Sequence, residues 1–118
     1  MANSYKIGVA SLDGIYVNCH FGRANKFYIY EVSEDGEIDF VELRHIVPVC
    51  AGGNHDNNLL ETNVKRFLDC NYLIVARVGD GAMSIANSLG LEIHEIPGDI
   101  YESIEQLIKY KKVQELFN

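Results

Sequence analysis

The chain reads as a single α/β domain, residues 1–118, built on a mixed sheet flanked by about three helices. Three observations predict this class. Tyr72-Leu73-Ile74-Val75-Ala76 is a short unbroken apolar run, the pattern of a strand covered on both faces. That run alternates with apolar sets at helical spacing, and strand–helix–strand order implies parallel crossovers. The first half of the chain instead carries β-rich segments joined by short turns, including Asp35-Gly36, which is hairpin construction. A sheet made half from hairpins and half from crossovers is mixed.

The elements follow in order. Tyr5 to Ala10 is β-rich and ends in a turn at Asp13-Gly14, a dipeptide that favours positive φ. Ile15 to Val17 is a second, short extended piece. Asn18-Cys19-His20-Phe21-Gly22-Arg23-Ala24 then gathers polar, thiol and imidazole groups into one compact segment. Phe27 to Val32 is aromatic and β-branched, and Glu37 to Ile46 sets Ile38, Phe40 and Leu43 against acidic neighbours, so the two form a hairpin across Ser33-Glu34-Asp35-Gly36. Leu60, Val64, Phe67 and Leu68 follow the i, i+4, i+7, i+8 spacing of a helix with one buried face, ending near Asp69-Cys70-Asn71. After the central strand and Gly79-Asp80-Gly81, the residues Ala82, Ile85, Ala86 and Leu89 mark a short helix closed by Gly90. Leu91 to Ile96 is another strand. Pro97-Gly98 breaks the chain, Asp99 caps the last helix with Glu102 three residues on, and Ile100, Ile104, Leu107 and Ile108 form its buried stripe.

Composition narrows the function. A chain of this length buries roughly two-thirds of its unfolded surface, enough for a core without staples. The N-terminus lacks the apolar region of a signal peptide, and no apolar run reaches the roughly 18 residues of a membrane span, so a cytosolic protein is expected. Cys19, Cys50 and Cys70 are an odd number without a secretory signal, which predicts free thiols. A net charge of −7 argues against a nucleic-acid partner, since phosphate neutralisation needs clustered bases. Lys109, Lys111 and Lys112 do cluster, but in the last turns of a predicted helix, where cations complement the macrodipole.

The stretch richest in chemistry is Pro48-Val49-Cys50-Ala51-Gly52-Gly53-Asn54-His55-Asp56. It holds a thiol and an imidazole on a glycine-rich segment between a β-like and a helix-like run. Paired glycines let a backbone approach a bound object closely. Thiolate and imidazole are the side chains that bind late transition metals and iron–sulfur species.

Taken in sequence, His20-Phe21-Gly22-Arg23-Ala24 with Phe27, then Cys50, Gly53 and His55, then Leu68-Asp69-Cys70 leading into the strand and Gly79, resemble the dinitrogenase iron-molybdenum cofactor-binding family, the NifX-like proteins and the C-terminal domain of NifB. The resemblance implies a fold similar to the ribonuclease H-like motif, a mixed five-stranded sheet flanked by helices, without a nuclease-type pair of catalytic acids. It also implies a non-enzymatic duty: binding an iron–sulfur precursor of the nitrogenase cofactor, or the iron-molybdenum cofactor itself, and passing it between cluster-assembly or acceptor proteins. On this reading Cys50 and His55 are the leading ligands, His20 and Cys19 come next, and Gly53 belongs to the cofactor-binding loop. Arg23, Arg77 and the backbone N–H groups of Gly79-Asp80-Gly81 supply positive potential to an anionic cluster, which Asp80 opposes. Neither nucleic acid nor membrane is an expected partner.

Each residue has a plainer reading. Cys50 and His55 also suit a structural turn with an incidental thiol, His20 a turn residue bonding backbone, and Cys70 a core thiol at a helix end. His45 and His94 fall in predicted strands and read as surface or core residues. Gly79-x-Gly81 lacks the rest of a dinucleotide fingerprint. Cys19, His20, Cys50 and His55 also make a set of four N/S ligands for one zinc ion, though without Cys-x-x-Cys spacing. A hydrolase is disfavoured, because Asp13 is the only acid near the end of the first strand.

Overall fold

A computed structural model describes residues 4–48 and 57–117. Its five-stranded sheet is assembled from β1 (Tyr5–Ala10), β3 (Lys26–Val32), β4 (Ile38–His45), β5 (Tyr72–Val75) and β6 (Glu92–Glu95), in the spatial order β4-β3-β1-β5-β6. The β4, β3 and β1 strands pair antiparallel, whereas β1, β5 and β6 pair parallel. The sheet is therefore mixed, divided at β1 as the hairpin and crossover halves of the sequence predict. The hairpin between β3 and β4 closes through Ser33 N–H to the Glu37 carbonyl, 2.9 Å, with Gly36 at φ 87. Only glycine adopts that conformation without strain.

Period-two alternation sorts the strands into two cores. Ala10, Phe27, Ile29, Leu73, Val75 and Ile93 face α1 (Asn57–Lys65) and α2 (Asp80–Ser88), where they meet Val64, Phe67, Ala82 and Ala86. Ile7, Val9, Tyr30, Val32 and Ile74 face α3 (Ile100–Leu116) and its Ile100, Ile104 and Leu107. At Gly8 the first core comes so close that a Cβ would lie 2.7 Å from Leu73 Cδ2 and 3.3 Å from Ile29 Cδ1. Asp99 caps α3 as expected, accepting from the Glu102 N–H at 3.1 Å.

Four details depart from the pattern read in sequence. Helix α1 ends at Lys65, and residues 66–69 continue as turns with i−3 bonds such as Phe67 N–H to Val64 O, 3.0 Å. Three residues per turn in place of 3.6 carry Phe67 inward and leave Leu68 48% exposed, so Leu68 is no part of the buried stripe. In β4, Ile29 pairs with Glu42 but Tyr30 with Phe40, so Val41 is an extra, bulged residue. That bulge lets Ile38, Phe40 and Leu43, spaced two then three apart, share the α3 side. Residues around Pro97-Gly98, read as a break, pair as β7 (Gly98–Asp99) with β2 (Tyr16–Val17) in a small second sheet. Finally, α3 runs on to Leu116, so Lys111 lies a turn before the helix end. Its ammonium meets Glu92 at 3.2 Å and sits over the Tyr72 ring at 5.1 Å, a tertiary duty rather than only a dipole partner. No helix among the described residues is long and apolar enough to cross a membrane.

Candidate functional site

The parallel half of the sheet sends its strand ends, and the loops that follow them, to one side. Open α/β sheets bind ligands outside the carboxyl ends of their strands. Strand β1 leaves through residues 11–20, a loop built on Asp13. Its Oδ1 accepts from the Ile15 N–H at 2.9 Å, the Tyr16 N–H at 3.0 Å and the Ser11 hydroxyl at 3.1 Å. The Tyr16 and Ile15 N–H groups hold the Asp13 carboxyl below the usual carboxylate range. Asn18 continues the network by accepting from the Leu12 N–H at 2.9 Å. Asp13, the one acid near the end of the first strand, is thus a loop-shaping residue.

Beyond Asn18 the chain joins the continuation of β5. Ala76 N–H donates to the Cys19 carbonyl at 2.9 Å and Phe21 N–H to the Arg77 carbonyl at 2.8 Å, a parallel bridge with His20 opposite Arg77. Alternation then decides which side chains face out. Cys19 and Phe21 turn into the α1/α2 core, 7% and 1% exposed, while His20 and Arg77 are both exposed. Adjacent strands lie about 4.8 Å apart, so imidazole and guanidinium stand side by side. Arg23, at the end of the 3-10 turn Phe21–Arg23, is also exposed. Neither Arg23 nor Arg77 has an ion pair among the described residues.

Arg77 leads into the first turn of α2. Val78 N–H is held by Glu95 Oε2 at 2.8 Å, which fixes the loop against the end of β6. Gly79 caps α2 without a side-chain bond, and nothing lies within 4 Å of where its Cβ would be. The leading N–H groups of α2 lack intrahelical partners, with Asp80 beside them. Helix α1 begins nearby, Leu60 Cδ2 lying 3.7 Å from the Cβ position of Gly81. On the other flank, Ile46 N–H donates to the Asn25 carbonyl at 3.1 Å, and Asn63 Nδ2 donates to the Val47 carbonyl at 2.6 Å.

Of the residues singled out in sequence, Cys50, Gly53 and His55 lie outside the described residues. The flanks of residues 49–56, Val47-Pro48 before and α1 after, are anchored by these contacts. His20 and Arg77 are brought together. Cys19 is adjacent in sequence but its thiol is turned inward, and burial followed by the Asp13 charge pushes its pKa up. Cys70 sits before β5, at the opposite end of the strand from Arg77, and is buried, its thiol pushed up to about 12, first by burial and then by the charge of Asp69. That agrees with a core thiol. His45 is exposed at the end of β4. His94 is half-buried between the rings of Tyr72 and Tyr110 with Glu92 at 3.3 Å, a packing role. No group of three or more His, Cys, Asp or Glu side chains with metal-binding geometry occurs among the described residues.

Two contributors escaped the sequence reading. Glu95 positions Val78 through a backbone bond that no motif announces. Arg44 grips Asp69 with both terminal nitrogens, 2.9 and 3.0 Å, and also donates to the Arg66 carbonyl at 2.7 Å, tying the end of β4 to the turn after α1. An alternating Glu42-Leu43-Arg44 in an edge strand gives no hint of a partner so far along the chain.

Comparison with known proteins agrees with this architecture. The chain is 36% identical over 107 residues to the FeMo cofactor biosynthesis protein NifB of Herbaspirillum seropedicae, covering 89% of this chain and 19% of that protein. It therefore spans about a fifth of that relative. An uncharacterized protein of Methanocaldococcus jannaschii is 30% identical over 84 residues, 71% of this chain and 69% of its own. The NMR structure of a Thermotoga protein described as a candidate NifB superposes with a TM-score of 0.58 at 22% identity, covering 89% of this chain and 88% of that one, which shows a shared fold. The sequence pattern described as dinitrogenase iron-molybdenum cofactor matches residues 3–110, nearly the whole chain, and the chain belongs to that family.

Proposed function

We propose that this chain is a non-catalytic binding and carrier protein for an iron–sulfur or iron-molybdenum cluster, or its precursor, in nitrogenase cofactor biosynthesis. The observation that carries the reading is the pairing of exposed His20 and Arg77 at the strand ends, where the two flanks of the Cys50–His55 segment are also anchored. A preassembled cluster has most iron sites satisfied by inorganic sulfide and needs one or two protein ligands. Cys50 and His55 serve as the main ligands, Gly53 gives the close backbone approach, and His20 adds an imidazole. The exposed imidazole of His20 is a readier ligand than the inward thiol of Cys19. Arg23, Arg77 and the uncapped start of α2 offset the negative charge of the cargo in a protein that is itself acidic. The domain acts as one unit of ribonuclease H-like type, in the cytoplasm, receiving and delivering its load through cluster-assembly proteins.

The test is retention. Anaerobically purified protein is mixed with an isolated iron–sulfur cofactor precursor, and iron and sulfide are measured after gel filtration, beside a Cys50→Ala, His55→Ala double variant. Stoichiometric retention by the parent and loss in the variant is the expected result. One zinc per chain without iron or sulfide would replace this reading with a mononuclear metal module, and retention unchanged in the variant would move the site.

A further inference from the structure

We infer that Glu95 is a positioning residue of the candidate site: its carboxylate clamps the peptide between Arg77 and Val78, and so sets how Arg77 and the start of α2 are presented to an anionic cargo. The role rests on the cluster reading above. The peptide is held at both ends. Its carbonyl, that of Arg77, accepts from the Phe21 N–H at 2.8 Å, and its N–H, that of Val78, donates to Glu95 Oε2 at 2.8 Å. A peptide is planar, so fixing both of its ends restrains the backbone torsions on either side. One of these torsions belongs to Arg77 and the other to Val78, directly before Gly79, which opens α2.

A side chain takes this task because the strands part here. Among the described residues, the last main-chain bond between β5 and β6 runs from the Ile96 N–H to the Val75 carbonyl, 3.0 Å. The Ile96 carbonyl then turns to the Ser103 hydroxyl at 2.8 Å, and Pro97 has no N–H to give. Glu95 fills the gap from its own register. It pairs with Val75 and, like Ile93 two residues earlier, projects to the α2 side of the sheet. Where alternation calls for another apolar residue, the chain carries a carboxylate that reaches the residue before the α2 cap.

The same carboxylate opposes the cargo. The 2.8 Å bond and ordinary peptide dimensions put its oxygen within about 5 Å of the Arg77 Cα, and Glu95 has no ion pair among the described residues. A cluster bound against His20 and Arg77 therefore meets a positive group on a backbone that a negative group holds in place. Orientation and charge act in opposite directions, so removing the charge and removing the side chain have different effects. Glu95→Gln keeps an oxygen acceptor and drops the charge, whereas Glu95→Ala drops both.

Two measurements on the parent, Glu95→Gln and Glu95→Ala test the role. Hydrogen exchange of the Val78 amide in the cargo-free protein reads the clamp alone: it is faster by about tenfold or more in Glu95→Ala and near the parent rate in Glu95→Gln. Anaerobic titration with the isolated iron–sulfur cofactor precursor reads the consequence. At low salt Glu95→Gln binds about threefold more tightly than the parent for each unit of cluster charge, a gain that fades as salt is added. Once salt has screened the charge, Glu95→Ala binds about tenfold more weakly than the parent, because affinity falls with the fraction of molecules whose loop is in place. Glu105→Gln, an exposed charge loss on α3, changes neither measurement, and thermal melts confirm that the variants fold. Parent-like Val78 exchange in Glu95→Ala, equal affinity of all three proteins at high salt, or binding by Glu95→Gln as weak as by Glu95→Ala would overturn the role and leave the cluster reading intact. Failure of the parent to bind the precursor would overturn the cluster reading, and the role in binding with it.

Discussion

Replacing Asp69 by Asn and Arg44 by Met, singly and together, measures how firmly the edge of the sheet is held to the turn after α1. Arg44 is largely covered, 17% exposed, and Asp69 is 44% exposed, so the pair is neither buried nor fully screened. Exposed pairs couple by about 0.2–1 kcal/mol and bidentate charge-assisted geometry adds to that, which sets the expected coupling near 1 kcal/mol. Arg44→Met also loses the bond to the Arg66 carbonyl and the guanidinium 5.6 Å over the Phe67 ring, so its own cost is about 2 kcal/mol. In a chain of this size that lowers Tm by roughly 4–8 °C per kcal/mol or slightly less. The pH dependence has a definite sign. Hydrogen bonds from Arg44 hold the folded Asp69 carboxyl below its ordinary value, so its contribution is complete above the unfolded pKa of about 3.9 and is lost as pH falls through the lower folded value. Urea denaturation of the four proteins at intervals from pH 7 to pH 2 gives the coupling directly. A coupling under about 0.3 kcal/mol at pH 7, or one of equal size at pH 2, would refute the reasoning.

Other outcomes follow from neighbouring features. Gly8→Ala forces a methyl to within 2.7 Å of the buried Leu73 side chain, and overpacking of this kind costs about 1–3 kcal/mol by urea denaturation. Iodoacetamide at pH 8, followed by peptide mapping, labels Cys19 and Cys70 slowly in the native protein and at ordinary thiol rates in urea, because burial raises both thiols; rapid native labelling of either would contradict its placement. If the cluster reading holds, Arg77→Gln weakens cargo binding by about threefold for each unit of cluster charge at low salt, from Coulomb attraction over about 7 Å at high dielectric. Adding Arg23→Gln compounds the loss, and both effects shrink with added salt. Equal affinity in parent and double variant would remove electrostatics from the account.

Much of the fold was legible because it is local. The Asp13-Gly14, Asp35-Gly36 and Gly90 positions take positive φ at the glycine, and Asp99 caps its helix, because each depends on a few adjacent residues. The mixed character of the sheet followed from the change from hairpin to crossover construction, whereas its spatial strand order came only with the structure. The β2–β7 pairing was not legible, since two-residue strands carry no period to detect. Leu68 was misread because the helical repeat was carried past the residue where the backbone tightens. At the candidate site, residue types were visible in sequence but neighbourhood was not. His20 beside Arg77, and Glu95 beneath Val78, are products of strand placement, and no spacing rule links positions so far apart.

The segment carrying Cys19, His20 and Phe21 is joined to the end of β5 by main-chain hydrogen bonds, with its side chains pointing alternately into the core and away from it. Support and display are thereby separated. Positions 19 and 21 are bound by packing, whereas the side chains at positions 20 and 77 are exposed and form no ion pair among the described residues. A lineage, or an engineer, is free to exchange imidazole for thiol, carboxylate or amine at those two positions and retune what the surface prefers to hold, with stability almost untouched. If the cluster reading holds, the same scaffold is open to serve several different cargoes.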